Sequence, residues 1–396
     1  TIILIIFIDI VSILMNFKKI LLSFFIVFFL IEFCSFIASK NKLLLFNSPP
    51  GYLKFKTIYN ATDWRTEEQA WGAWHKKNFS TRHQKECFDV IYETNDVGAR
   101  SDFSFYKIES TNNLVILGDS FVEGVGVENK NTLAGLLNKN YKTTLNFGSG
   151  GNFGPLQTYI IYKDLAKDFP HNEVIYLFLP ANDFIDNDFE YYKKHKMANR
   201  YRPYFKKISN NKFDYFYPKN SYPQKNFPYE NYNKNKIDKF KNFLKEYFWS
   251  YNFIKTLRYV VAREKNTNII NENNFGYFFK DNKAVDATFF FIGELFKEVN
   301  DDFTKTVLII PTVRDLKNIQ KSPNSYTQFH WYKKLKDLSK KHNFKIIDLA
   351  MDKKNLYSSQ YIENGIKNWF LTCDGHWNEN GNKMAFQKFI KSQNKF

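Results

Sequence analysis

The segment LVILGDSFVEGVGV, residues 114–127, places Gly118-Asp119-Ser120 directly after a short apolar run. Such a run reads as a buried strand, and a serine at its carboxyl end sits where open α/β sheets gather their ligands. Gly118 lets the chain turn tightly, and a helix starting there presents backbone N–H groups toward developing negative charge. A serine hydroxyl attacks a carbonyl only when an imidazole takes its proton, and the tetrahedral oxyanion needs preorganised donors. Three further blocks hold the residue types that this acyl-transfer chemistry requires. Asn146-Phe147-Gly148-Ser149-Gly150-Gly151-Asn152 brings glycines whose backbone can approach a ligand, and Pro180-Ala181-Asn182-Asp183 follows another apolar run. Cys373-Asp374-Gly375-His376-Trp377-Asn378 pairs a carboxylate with a histidine in a loop. The remaining histidines, His75, His83, His171, His195, His330 and His342, lack that setting. Only His171 has a carboxylate close by, Glu173, and it precedes a strand, at the wrong end of a sheet.

The elements that must position these residues follow from the apolar pattern. Strands are expected at 114–117, 143–147, 174–179, 306–311 and 345–349, with helices at 131–140, 155–168, 326–342 and 380–393. Strands alternating with helices imply a parallel sheet with helices on both faces. Residues 111–396 then form one α/β domain, interrupted by an insertion over 184–304 that is crowded with Tyr, Phe, Asn and Lys. In its first half YRPYF, FYPKN, SYPQ and NFPY argue against regular structure, and helical stretches are expected near 235–262 and 284–300. Residues 43–110 read as an extended lead-in, with Pro49-Pro50-Gly51 as a boundary.

In this order and at these strand ends, the blocks resemble the SGNH hydrolase superfamily, also called GDSL-like esterases and lipases, over residues 112–183 and 305–393. The resemblance implies a three-layer α/β/α, flavodoxin-like parallel sheet. It makes Ser120 the nucleophile, with its own N–H as one oxyanion donor, Gly151 as a second and the side-chain amide of Asn182 as a third; Gly148 is an alternative register for the second. His376 becomes the base and Asp374 the carboxylate that orients it. Two positions depart from the family pattern. Asp374 stands two residues before His376 where most members have three, and Pro180 replaces a usual glycine. The first departure leaves open a Ser120–His376 dyad. The Asp-x-His-Trp spelling resembles the branch associated with O-acetylation of exported polysaccharides. The implied activity is ester hydrolysis through an acyl-enzyme on Ser120, acting on an O-acyl group of a cell-envelope or extracellular glycan or on a small ester. An O-acetyltransferase using the same triad, and an inactive glycan-binding or assembly protein, are the alternatives. No cofactor is expected, and no paired Cys or His spacing marks a metal site.

The chain has 57 Lys+Arg against 40 Asp+Glu, a formal charge of +17 over 396 residues. No zinc finger, helix-turn-helix or RNA-binding signature accompanies that charge, so nucleic acid is not an expected partner. Within the N-terminal hydrophobic region 1–42, residues 20–38 are apolar enough to cross a bilayer as a helix, flawed only by Glu32. Lys18 and Lys19 precede it and Lys40 and Lys42 follow, which orients it weakly. A basic start after Met15 is how a signal or anchor begins, and residues 1–14 are expected to be upstream sequence or part of an earlier span. No small-x-small cleavage site stands out, which favours a retained anchor with the soluble domain on the extracytoplasmic, periplasmic side. Cys34 lies inside the apolar segment, and Cys87 and Cys373 are the only pair beyond it. An exported domain could bridge them, a question for geometry.

Overall fold

The computed structural model describes residues 2–40, 65–85, 87–151, 153–194, 202–209, 212–218, 236–255, 257–258, 275–321, 329–352, 355–356 and 358–393. The chain divides into two compact units, one of Thr1–Phe55 with Asn233–Ile269, the other of Lys56–Tyr232 with Ile270–Phe396. Pro49-Pro50-Gly51 and the SYPQ and NFPY segments lie outside the described residues.

The first unit contains α1 (Ile2–Lys40), in which Phe17–Ala38 is long and apolar enough to cross a membrane. The expected flaw in that span has a partner. The carboxylate of Glu32 accepts N–H bonds from Trp249 at 2.8 Å and Ser250 at 3.1 Å, at the start of a helical stretch over 249–255.

The second unit is α/β around a five-stranded parallel sheet of β5 (Leu114–Gly118), β6 (Thr144–Gly148), β7 (Glu173–Phe178), β10 (Thr304–Ile309) and β11 (Lys345–Asp348). The earlier and intervening strands pair as antiparallel hairpins, β1 (Arg65–Gln69) with β2 (Gly72–His75), β3 (Ser80–Lys85) with β4 (Phe88–Glu93), and then β8 (Tyr204–Ser209) with β9 (Lys212–Phe216). The sheet order β6-β5-β7-β10-β11 reverses direction between β5 and β7. Right-handed crossovers then send the helix leaving β5, α3 (Leu133–Asn140), to one face and the helix leaving β6, α4 (Pro155–Asp164), to the other. Every residue of β5, β6 and β7 is buried, as a sheet covered on both faces demands.

Two expectations change. The stretch read as the last part of the insertion is α6 (Asn282–Glu298), which packs on α4 and serves as the crossover between β7 and β10. Its helical period was plain, but nothing in a period says which sheet a helix covers. The lead-in is not extended over its described part. It folds as the first two hairpins, and its Trp71, Trp74, Val97, Ala99 and Phe105 join the main apolar core. Likewise YRPYF opens β8: Pro203 stands just before the strand, where its missing N–H breaks no ladder.

Candidate active site

Ser120 is the first residue of the short helix α2 (Ser120–Glu123), immediately after β5. The turn is possible because residue 118 is glycine. At its φ of +149° a Cβ would lie 2.7 Å from Val122 Cγ2 and 3.1 Å from the carbonyl of Leu177. Asp119 caps the helix by accepting the N–H of Phe121 at 2.9 Å.

His376 reaches Ser120 across 256 residues, with Nε2 2.7 Å from Oγ. Its Nδ1 is hydrogen-bonded to Asp374 Oδ1. A carboxylate on Nδ1 leaves Nε2 as the acceptor, so Ser120 Oγ–H donates to His376 and His376 Nδ1–H donates to Asp374. Two-residue spacing is enough because the loop is sharply folded. Gly375 takes a φ of +87°, its N–H bonds the carbonyl of Leu371 at 3.0 Å, and the His376 carbonyl accepts from Leu371 at 2.7 Å. Phe121 packs its ring 5.0 Å from the imidazole and 5.1 Å from Trp377, so the serine's own helix supports the histidine. Ser120 and the side chain of Asp374 are buried, and the imidazole is partly open.

Cys87 and Cys373 form a disulfide with Cα atoms 5.8 Å apart. The bridge ties the residue before Asp374 to the turn between β3 and β4. Geometry thus answers the question that sequence separation left open.

Asn182 follows β7, in α5 (Pro180–Asp183), and its amide donates to Asp119 Oδ2 at 3.4 Å. That contact bridges the crevice between β5 and β7, where the strand order reverses and ligands of open α/β sheets bind. Pro180 is helix position N1, which a missing N–H suits, so the departure from glycine carries no backbone cost. Gly151 adopts a φ of +92° in the loop after β6. Gly148, the alternative register, gives its N–H to Asn146 Oδ1 at 2.9 Å.

Several supporting residues were not foreseen. Glu123, at the end of α2, accepts the N–H of Gly150, and His75 Nε2 lies 3.4 Å from its carboxylate. Arg100, fully buried, donates to the carbonyls of Glu123 (2.8 Å), Gly124 and Val127 and stacks its guanidinium 3.9 Å from the Tyr92 ring. The folded lead-in thereby holds the turn that follows the nucleophile helix. His75 and Glu123 are too far apart in sequence for spacing to pair them. Beneath Asn182 lie Asp183, which accepts from Tyr176 Oη at 2.7 Å, and Asp186. Burial pushes the Asp119 carboxyl up to about 7 and raises Asp183 well above the carboxylate range, with the neighbouring Asp186 charge acting in the same direction. His171 bonds Phe169 O and Tyr162 Oη near the amino end of β7, far from the serine in the strand's length.

Among the described residues no cluster of His, Cys, Asp or Glu could hold a metal ion. The fold and site define an α/β chain with a Ser–His–Asp constellation at the carboxyl edge of a parallel sheet. No protein-family model and no curated protein matches the chain. Among solved structures, a protein of the G-D-S-L family from Desulfitobacterium hafniense DCB-2, to which a lipolytic role is ascribed, is similar over 71% of this chain and 98% of that one. The two share 10% identity with a TM-score of 0.29, so the functional reading rests on the geometry of Ser120, His376 and Asp374.

Proposed function

We propose that the chain is a serine-dependent ester hydrolase with the SGNH arrangement, working through an acyl-enzyme on Ser120. The observation that carries the reading is the continuous hydrogen-bonded line from Ser120 Oγ through His376 to Asp374. Ser120 Oγ attacks the ester carbonyl as its proton passes to His376 Nε2, and Asp374 stabilises the imidazolium. The tetrahedral oxyanion is met by the N–H groups of Ser120 and Gly151 and the amide of Asn182. Collapse expels the alcohol, which leaves with the proton from His376. Water then loses a proton to the same nitrogen and attacks the acyl carbon. The bond from that carbon to Ser120 Oγ breaks, Oγ takes the proton back from His376, and the carboxylic acid is freed.

The substrate we infer is an O-acyl group on a cell-envelope or extracellular glycan. Two features support a site outside the cytoplasm: α1, which can anchor the chain, and the Cys87–Cys373 bridge, a bond that persists in oxidising compartments. The aromatic insertion lends less support than its composition promised. Tyr192, Tyr204, Phe205 and Phe213 are buried, and Phe184 stacks on Phe279, so these rings pack the protein and are not offered to a sugar.

The test is hydrolysis of a short-chain aryl ester and labelling by a fluorophosphonate, with Ser120→Ala as control. Loss of both in the variant is expected. Equal turnover by the variant would remove Ser120 from the mechanism, and an unlabelled parent chain would favour an inactive binding protein. Mass spectrometry of an added oligosaccharide then tells whether the acyl group goes to water or to a sugar hydroxyl.

A further inference from the structure

The unit that contains α1 also contains the helix Lys236–Tyr247, which is amphipathic. Ile237, Phe240, Phe243 and Tyr247 recur at helical spacing on one side, and all are exposed, Ile237 to 61% and Phe240 to 59%. Ile254 and Leu257, farther along the same segment, are exposed as well. In water that stripe would carry a standing hydrophobic cost.

The segment's position along α1 says what covers it. Phe248, the residue after this helix, packs its ring 5.7 Å from Phe28, and Trp249 packs 5.4 Å from Phe36. Between them Glu32 takes the first N–H groups of the 249–255 helix and the hydroxyl of Ser250. A carboxylate inside an apolar span is costly unless partnered, and here it is spent on the orphan donors of a helix start. Glu32 stands six residues before Ala38, the end of the span, hence about 9 Å inside it at about 1.5 Å per residue. An amphipathic helix at a bilayer surface buries its apolar face about 5–10 Å into the headgroup and acyl boundary. The end of Lys236–Tyr247 is thus held at the depth where a lipid-facing stripe belongs. Lys239, Lys241, Lys255 and Arg258 are exposed on the same segment and suit anionic headgroups.

We propose that residues 236–258 form a second membrane contact, an amphipathic segment lying in the leaflet from which the carboxyl end of α1 emerges. Ile237, Phe240, Phe243 and Tyr247 face acyl chains there. This rests on the reading of α1 as a membrane span. The occupant of the exposed face is lipid, and the basic residues make anionic lipid the preferred one.

The full chain carrying Cys34→Ser is placed in bilayer discs of equal parts phosphatidylcholine and phosphatidylglycerol. Single nitroxide labels are introduced through Ile237→Cys, Phe240→Cys, Lys239→Cys and Lys241→Cys, with Leu30→Cys as the marker for the span. Collisions with oxygen, which concentrates in lipid, are compared with those of a water-soluble nickel chelate. The oxygen-to-nickel ratio is expected to be several-fold higher at 237 and 240 than at 239 and 241, approaching the value at 30. Ready nickel access at 237 and 240 overturns the proposal, because the helix is then in water. Exclusion of both reagents there also overturns it, with dipolar broadening marking a second copy as the cover and its absence marking another protein surface. Nickel access at position 30 instead overturns the span itself. The stripe positions are exposed and the two pairs report independently, so loss of one variant leaves the comparison standing.

Discussion

Asn182 donates its amide to the carboxylate of Asp119 across the crevice between β5 and β7, at 3.4 Å. Asp119 in turn caps the helix that begins at Ser120, so one carboxylate fixes both the nucleophile's helix and the amide proposed to meet the oxyanion. Asn182→Ala is expected to lower kcat about 10²–10³-fold with little change in KM, the signature of a donor used in the transition state. Asp119→Ala removes no donor. It is expected to cost less activity than Asn182→Ala, together with about 1 kcal/mol of stability from the lost cap. Steady-state kinetics and urea unfolding of the two variants separate these roles.

Asp374 separates a triad from a dyad. Its carboxylate is hydrogen-bonded to His376 Nδ1, the arrangement that holds the tautomer Ser120 needs. Asp374→Asn is expected to reduce kcat about 10²–10⁴-fold while leaving unfolding midpoints nearly unchanged. A variant with parental activity would mean that Ser120 and His376 work as a pair.

The disulfide links stability to this loop. Cys373 is the residue before Asp374, and its partner Cys87 lies between β3 and β4. Cys87→Ser is expected to lower unfolding free energy by about 2–4 kcal/mol. Since Asp374 and His376 ride on the freed loop, kcat should fall in the same variant, and reductant should act on the parent chain but not on the variant. Ester turnover measured with and without reductant checks both.

The parallel strands were legible because each is a buried apolar run bounded by turn residues, and Ser120, Gly151 and Asn182 because they stand just after three of those strands. Asp374 and His376 stand in a loop that follows the helix Ser359–Asn368, where only their residue types marked them. Ser120 and His376 meet although 256 residues separate them, because the sharply folded loop of residues 371–378 carries the imidazole to the end of β5. What periodicity does not encode is which surface an element packs against. Arg100 gains its partners only when the folded lead-in brings it under the carbonyls of Glu123, Gly124 and Val127. Glu32 reads as a flaw in a span until a helix start arrives from residues 249–250. Both are polar groups whose partners come from distant segments, and their meaning depends on tertiary contact alone.

Arg100 supplies a direct test of the folded lead-in. Replacing it by Leu keeps much of the volume and leaves the carbonyls of Glu123, Gly124 and Val127 without their donor. A destabilisation of about 3 kcal/mol or more is expected, because buried acceptors lose their partner together with the stacking on Tyr92. Chemical unfolding of Arg100→Leu beside the parent measures it, and an unchanged midpoint would mean that the hairpins contribute nothing to the turn after Ser120.

The buried carboxyls each make stability fall with rising pH. Burial pushes the Asp119 and Asp348 carboxyls up to about 7 and raises Asp183 and Asp315 in the same direction. For an acid whose folded pKa lies above its unfolded value near 4, the folded state binds the proton more tightly. The stabilisation is complete below about pH 4 and is lost as pH rises through about 7. A tenfold difference in proton affinity between the folded and unfolded states is worth about 1.4 kcal/mol, and burial of His171, His330 and His342, which lowers their pKa, acts in the opposite direction over the same range. Asp348 isolates the cause without touching the site. Its Oδ1 accepts from Tyr277 Oη at 2.9 Å and from Ala350 N–H at 2.8 Å, and an asparagine oxygen can take both bonds. Asp348→Asn should therefore flatten the decline in urea midpoint from pH 5 to pH 8 by its share, while a slope equal to the parent's would show that Asp348 is not among the groups that titrate.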